Sequence, residues 1–224
     1  MAKFSRIEVS LKMAETGMVP VFYHADPEIC KEVLKACYGG GVRVFEYTNR
    51  GDFAHETFAE LVKYSRSQFP DMMLGAGSVV DAPTAGLYIQ LGADFIVSPV
   101  LNPDIAKVCN RRKIMWSPGC ATLSEISEAE ELGAEVVKIF PAQQVGGPQY
   151  VAAVKGPCPW TSIMPTGGVE PTEENLKAWF KAGVHCVGMG SQLISKELIA
   201  NREFSRLQEL TSAAMNIIKK VRGK

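Results

Sequence analysis

The sequence predicts an α/β fold of one domain, a (β/α)8 TIM barrel with an extra N-terminal helix. Three observations carry this. Short β-branched runs alternate strictly with helical patterns, eight times over. A helix-ending glycine feeds the next strand directly at Leu91-Gly92-Ala93-Asp94, Leu132-Gly133-Ala134-Glu135 and Ala182-Gly183-Val184. No linker or low-complexity stretch divides the 224 residues. Strict βα alternation forces a parallel sheet, and eight units close into a barrel. An open doubly wound sheet is the competing reading. It is the weaker one, because no GxGxxG follows the first strand. The expected domain covers residues 1–224, with a helix in 1–17 and the barrel in 18–224.

Each element has a local reason. Phe4 to Glu15 is amphipathic and reads as the leading helix. Met18 to Tyr23 is the first strand, and Pro27 opens a helix at a favoured first-turn position. Ile29, Val33, Leu34 and Cys37 recur at helical spacing until Gly39-Gly40-Gly41 ends the pattern. Val42 to Glu46 is the second strand, with a helix from about Ala54 to Ser67. Met72 to Ala76 is the third, followed by a helix from Ala82 to Leu91. Asp94 to Val97 is the fourth, and Pro103 starts its helix. Ile114 to Trp116 is the fifth, and Thr122 with Glu125 forms a helix-start capping box. Glu135 to Ile139 is the sixth, and Gln149 to Val154 is a short helix. Thr161 to Met164 is the seventh, with Thr172 capping a helix across Glu173 to Ala182. Val184 to Val187 is the eighth, and the rest reads as helical to about Lys220.

Composition narrows the function. The chain carries 24 basic and 24 acidic residues, so its formal net charge is zero. A nucleic-acid or membrane-surface binder needs a basic excess. No apolar run approaches the roughly 18 residues of a membrane span. Met1 to Glu15 lacks the apolar core of a secretory signal. The six cysteines contain no CxxC pair, and the three histidines do not cluster with them. That pattern predicts a reducing, cytoplasmic setting and no zinc site.

In such a barrel, chemistry sits at the C-terminal strand ends. Lys138 follows Val136-Val137 in an apolar run, so its ammonium is expected in or over the barrel mouth. A low-dielectric setting favours the neutral amine, which attacks a carbonyl carbon to form a Schiff base. Glu46 is the only acid in its run, and a carboxylate near such a lysine moves protons. A plain ion pair between the two is the competing reading. Arg50 suits a substrate carboxylate in bidentate geometry. Arg43, within the same strand, is expected to face outward in an ion pair. Thr166-Gly167-Gly168 and Gly188-Met189-Gly190-Ser191 follow the seventh and eighth strands, where many barrels hold a phosphate on backbone N–H groups. Two tight turns without a ligand are the alternative. His24, His55 and His185 are expected to be structural, and Trp116, Trp160 and Trp179 to fill core or subunit contacts.

Together these segments resemble the family of 2-keto-3-deoxy-6-phosphogluconate (KDPG) and 4-hydroxy-2-oxoglutarate (KHG) aldolases. The matching segments are Gly40 to Glu46, Gly75-Ala76-Gly77-Ser78-Val79, Ile96-Val97-Ser98-Pro99, Val137 to Ala142, Pro165 to Val169 and Gly188 to Ser191. They run in family order across residues 18 to 220. The resemblance implies a class I aldolase acting without metal or other cofactor. It implies Lys138 as the Schiff-base lysine and Glu46 as the general acid/base. It implies Arg50, Ser78 and Pro99 around the pyruvyl carboxylate, and Phe140 flanking the substrate chain. Gly167, Gly168, Gly190 and Ser191, beside Thr166, would form the phosphate site. It also implies a homotrimer, with Phe4 to Glu15 and exposed tryptophans available to it. Ser78 stands where many members carry threonine, and Tyr23-His24 where some carry a basic residue. Cleavage of the galactonate-series epimer, a sugar-phosphate epimerase or synthase, and a non-catalytic sugar-phosphate sensor are the alternative functions.

Overall fold

Capping chemistry sets where the helices start. The computed structural model describes residues 2–223. Met1 and Lys224 of the expected 1–224 domain lie outside the described residues. Ser5 and Glu8 form a capping box that starts α1 (Arg6–Thr16), and Gly17 ends it at φ 77°. Asp26 caps α2 (Pro27–Gly39), with proline in its first turn. The Thr122–Glu125 capping box starts α6 (Leu123–Glu131), and Thr172 caps α8 (Glu173–Lys181). Gly92, Gly133 and Gly183, the three strand-feeding glycines, all take positive φ. The other helices are α3 (Ala54–Gln68), α4 (Ala82–Leu91), α5 (Pro103–Arg112), α7 (Gly147–Lys155), α9 (Lys196–Ala200) and α10 (Phe204–Val221).

The strands are parallel and short: β1 (Met18–Phe22), β2 (Val44–Thr48), β3 (Met73–Gly77), β4 (Phe95–Val97), β5 (Met115–Ser117), β6 (Gly119–Cys120), β7 (Val137–Ile139), β8 (Ile163–Pro165) and β9 (Val187–Met189). One sheet runs β5-β4-β3-β2-β1-β9 and the other β6-β7-β8. A bridge from Thr166 to Gly188 links β8 to β9. The result is a parallel sheet curled on itself, with helices on its outside.

Several sequence expectations shift. The second strand is Val44–Thr48, not Val42–Glu46, and the last is Val187–Met189, not Val184–Val187. The β-branched runs reach back into the loops that enter β2 and β9, where Val42 and Val184 are buried outside the strands. Arg43 therefore precedes β2, where it pairs with Asp71 at 2.8 Å. His185 precedes β9, and His24 lies beyond β1. The fifth strand is split. β5 pairs with β4 and β6 with β7, with Pro118 between, because proline has no N–H for the ladder. The C-terminal helical stretch is likewise divided at residues 201–203, where Arg202 takes φ 54°.

Two clusters fill the interior. Val19, Val44, Met73, Phe95, Val97, Met115, Val136, Met164 and Cys186 meet on the concave face, and Val9 and Met13 of α1 cover one end of them. The strand residues alternating with these pack outward against the helices. Arg222, beyond α10, donates to the Ala14 carbonyl and so ties the end of the chain to α1. Trp116 and Trp179 are fully buried, whereas Trp160 is 70% exposed. Of the three tryptophans, then, only Trp160 offers surface to another subunit. Among the described residues, no helix is long and apolar enough to cross a membrane.

Candidate active site

Strand alternation aims the two chemical side chains. Phe45 and Tyr47 belong to the helix-facing cluster, so Glu46 between them faces the concave side. Val137 and Ile139 do the same for Lys138 on β7. The Lys138 Nζ lies 3.9 Å from Glu46 Oε1, with side chains 5% and 0% exposed. That separation exceeds a hydrogen bond. Both carboxylate oxygens of Glu46 lack any hydrogen-bond partner among the described residues. A compact ion pair would have closed the gap; these two groups face each other across it. Gly77 makes room for the acid, since a Cβ there would stand 1.9 Å from Glu46 Oε1.

The other expected residues gather around this pair to different degrees. Arg50 Nε donates to Ser78 Oγ at 3.2 Å, and Ser78 holds φ 57° at the end of β3. The Phe140 ring centroid is 4.9 Å from Lys138 Nζ. A cavity of about 260 Å³ is lined by Arg50, Phe140, Thr166, Gly167, Gly168, Gly190 and Ser191, with Val21 and Gly188. Gly167 and Gly168 take φ 97° and 80°, a backbone region that favours glycine. Pro99 and Ser78 do not line that cavity. Pro99 abuts the next strand instead: a Cβ on Gly119 would meet its carbonyl oxygen at 2.3 Å.

A second cavity of about 470 Å³ shares Val21, Arg50 and Ser191 with the first. Its walls include Tyr23, His24 and Lys196. Sequence reasoning set His24 aside as structural and did not single out Lys196. The available signal was their position, just past β1 and in the segment after the last strand. The His24 Nδ1 accepts the Asp26 N–H at 3.0 Å, which leaves the ring proton on Nε2. His185 is structural as expected, bonding through Nε2 to the Ser10 carbonyl at 3.0 Å, and His55 lies in α3.

The thiols are poor candidates for chemistry. Burial pushes Cys30, Cys37, Cys109, Cys120 and Cys186 up to about 12. A thiol that stays protonated is not a nucleophile. Among the described residues, no group of three or more His, Cys, Asp or Glu is placed to hold a metal ion.

The geometry brings together a buried lysine and a carboxylate opposite it, with a glycine-rich cavity after β8 and β9. The class is an α/β enzyme, a carbon–carbon lyase, as the family its sequence matches shows. Residues 9–210 match the family model for KDPG and KHG aldolase. The chain belongs to that family. It is 31% identical over 208 residues to the 2-dehydro-3-deoxy-phosphogluconate aldolase of Haemophilus influenzae, covering 93% of this chain and 95% of that one. It is 30% identical over 198 residues to the KHG/KDPG aldolase of Escherichia coli, covering 88% and 90%. The crystal structure of the KDPG aldolase of Legionella pneumophila, with pyruvate captured as a covalent carbinolamine, superposes with a TM-score of 0.83. Its identity is 29%, covering 92% of this chain and 97% of that one.

Proposed function

We propose that this enzyme cleaves 2-keto-3-deoxy-6-phosphogluconate to pyruvate and glyceraldehyde 3-phosphate by a Schiff-base mechanism, and also accepts 4-hydroxy-2-oxoglutarate. The observation that carries the reading is the buried Lys138 amine standing 3.9 Å from a buried, unpartnered Glu46 carboxylate. Lys138 attacks the C2 ketone, and loss of water gives a protonated imine. The imine is the electron sink for breaking the C3–C4 bond. Glu46, through a water, takes the C4 hydroxyl proton as the aldehyde forms. The enamine left behind is protonated at C3, and hydrolysis releases pyruvate and free Lys138. Arg50 and Ser78 hold the carboxylate beside Pro99, and Phe140 flanks the chain. Thr166, Gly167, Gly168, Gly190 and Ser191 hold the phosphate. Their cavity supports this assignment.

The architecture belongs to the same reading: one domain, a closed (β/α)8 barrel in which β5 and β6 form one interrupted strand. The successive parallel pairings and the Thr166–Gly188 bridge support closure. The working assembly is a cytoplasmic homotrimer. All six cysteines are free, consistent with a reducing compartment, and exposed Ile7, Leu11 and Trp160 offer apolar surface for contacts between copies.

Incubation with pyruvate and borohydride tests the mechanism. The expected result is a mass addition at Lys138. Aldol cleavage without any trapped lysine would remove the Schiff-base assignment.

A further inference from the structure

Ser117 closes β5 with its side chain on the same face as Glu46 and Lys138. Met115, two residues earlier, belongs to the concave-face cluster, and Trp116 between them belongs to the helix-facing one. The two-residue period carries Ser117 to the concave side. It is 1% exposed, and its Oγ has no hydrogen-bond partner among the described residues. Val97 is its ladder partner on β4. On the other side Gly119 pairs with Lys138, so Ser117 lies one inward-facing position below the lysine, level with Val136. The Lys138 N–H donates to the carbonyl of Pro118, the very next residue, at 2.9 Å.

An apolar residue would suit that level, where Val97 and Val136 both contribute to the packed face. A hydroxyl there is costly unless it is bonded. The same face holds a second anomaly, the Glu46 carboxylate, whose two buried oxygens have no donor. A hydroxyl supplies the donor a carboxylate lacks. An enclosed water needs two to four polar partners, and Ser117 Oγ, the Glu46 carboxylate and Lys138 Nζ are three on one face.

We propose that Ser117 is a positioning residue for Glu46. Its hydroxyl, bridged by one enclosed water, hydrogen-bonds to the carboxylate from beneath Lys138 and fixes which oxygen faces the substrate. This rests on the reading of Glu46 as the general acid/base.

The test compares Ser117→Ala, Ser117→Cys, Ser117→Thr and Glu46→Gln with the unaltered enzyme in 2-keto-3-deoxy-6-phosphogluconate cleavage across pH. Losing one hydrogen bond to a charged group should lower kcat about tenfold in the alanine and cysteine variants, with KM changed less than about twofold. The acidic limb of the kcat profile should move with it, because that limb reports the general base. Ser117→Thr, which keeps the hydroxyl, should restore both. Ser117→Cys matches serine in size, so an unaltered rate and profile in that variant overturns the proposal even if Ser117→Ala does not fold. Equal losses in the threonine and cysteine variants also overturn it. Full turnover by Glu46→Gln would instead defeat the acid/base reading, a separate outcome.

Discussion

Lys138 on β7 and Glu46 on β2 meet inside the curled sheet at 3.9 Å, although 91 residues lie between them in sequence. The Glu46 side chain is fully buried and that of Lys138 is 5% exposed, and no hydrogen bond joins them. The pair is set for a third participant that supplies the missing bonds.

Glu46→Gln keeps the shape of the side chain and removes the base. The expected loss in kcat is about 10² to 10⁴-fold, the range of positioned acid–base catalysis. Lysine trapping by pyruvate and borohydride should persist, only slower. Steady-state kinetics and intact mass separate the two effects.

Gly77→Ala is expected to hurt catalysis more than folding. The new Cβ would stand 1.9 Å from Glu46 Oε1 and push the carboxylate aside. Displacement of about 1 Å in a reacting group costs on the order of 10² in rate. Rate and melting temperature measured on the same preparation check this.

Arg50→Lys keeps a charge but loses the planar fork that a carboxylate accepts. It also gives up the contact with Ser78 Oγ. The expected outcome is a rise in KM of about tenfold. The amount of lysine trapped at saturating pyruvate should be unchanged.

His185 gives stability a pH dependence. Burial, the largest cause, lowers its pKa below the ordinary 6.5. The unfolded chain then binds the proton first as pH falls, so stability is lost from about pH 6.5 downward toward the folded value. Above that window the residue contributes no slope. His185→Gln should flatten the fall in melting temperature between about pH 7 and 5.

Thiol labelling should single out Cys158. It is the one cysteine that is not buried, while burial pushes the other five thiols up to about 12. A disulfide reagent at neutral pH is expected to modify about one thiol per native chain and six on denaturation. Rapid reaction of several native thiols would contradict this burial.

Much of the helical layout was legible because its signals are local. Asp26-Pro27, Thr122 with Glu125, and Thr172 are read from neighbours within one turn, and each caps the expected helix. Strand limits were less legible. A β-branched run marks burial, but only a partner strand marks pairing, so Val42 and Val184 are buried outside the ladder. The split between β5 and β6 depends on which neighbour each half meets.

For the candidate site, local patterns in the chain carried the parts: a lysine and an acid in apolar strands, and glycine turns after the last two units. Those follow from period-two alternation and backbone freedom, which each segment carries alone. The assembled fold is what makes Glu46 and Lys138 face one another without a hydrogen bond, brings Arg50 to Ser78, and lets Tyr23 and His24 wall a second cavity. It alone also put the Ser117 hydroxyl, unpartnered, on the same face as the reacting pair. These are distances between segments far apart in the chain, set by sheet curvature and register, and no local pattern encodes them.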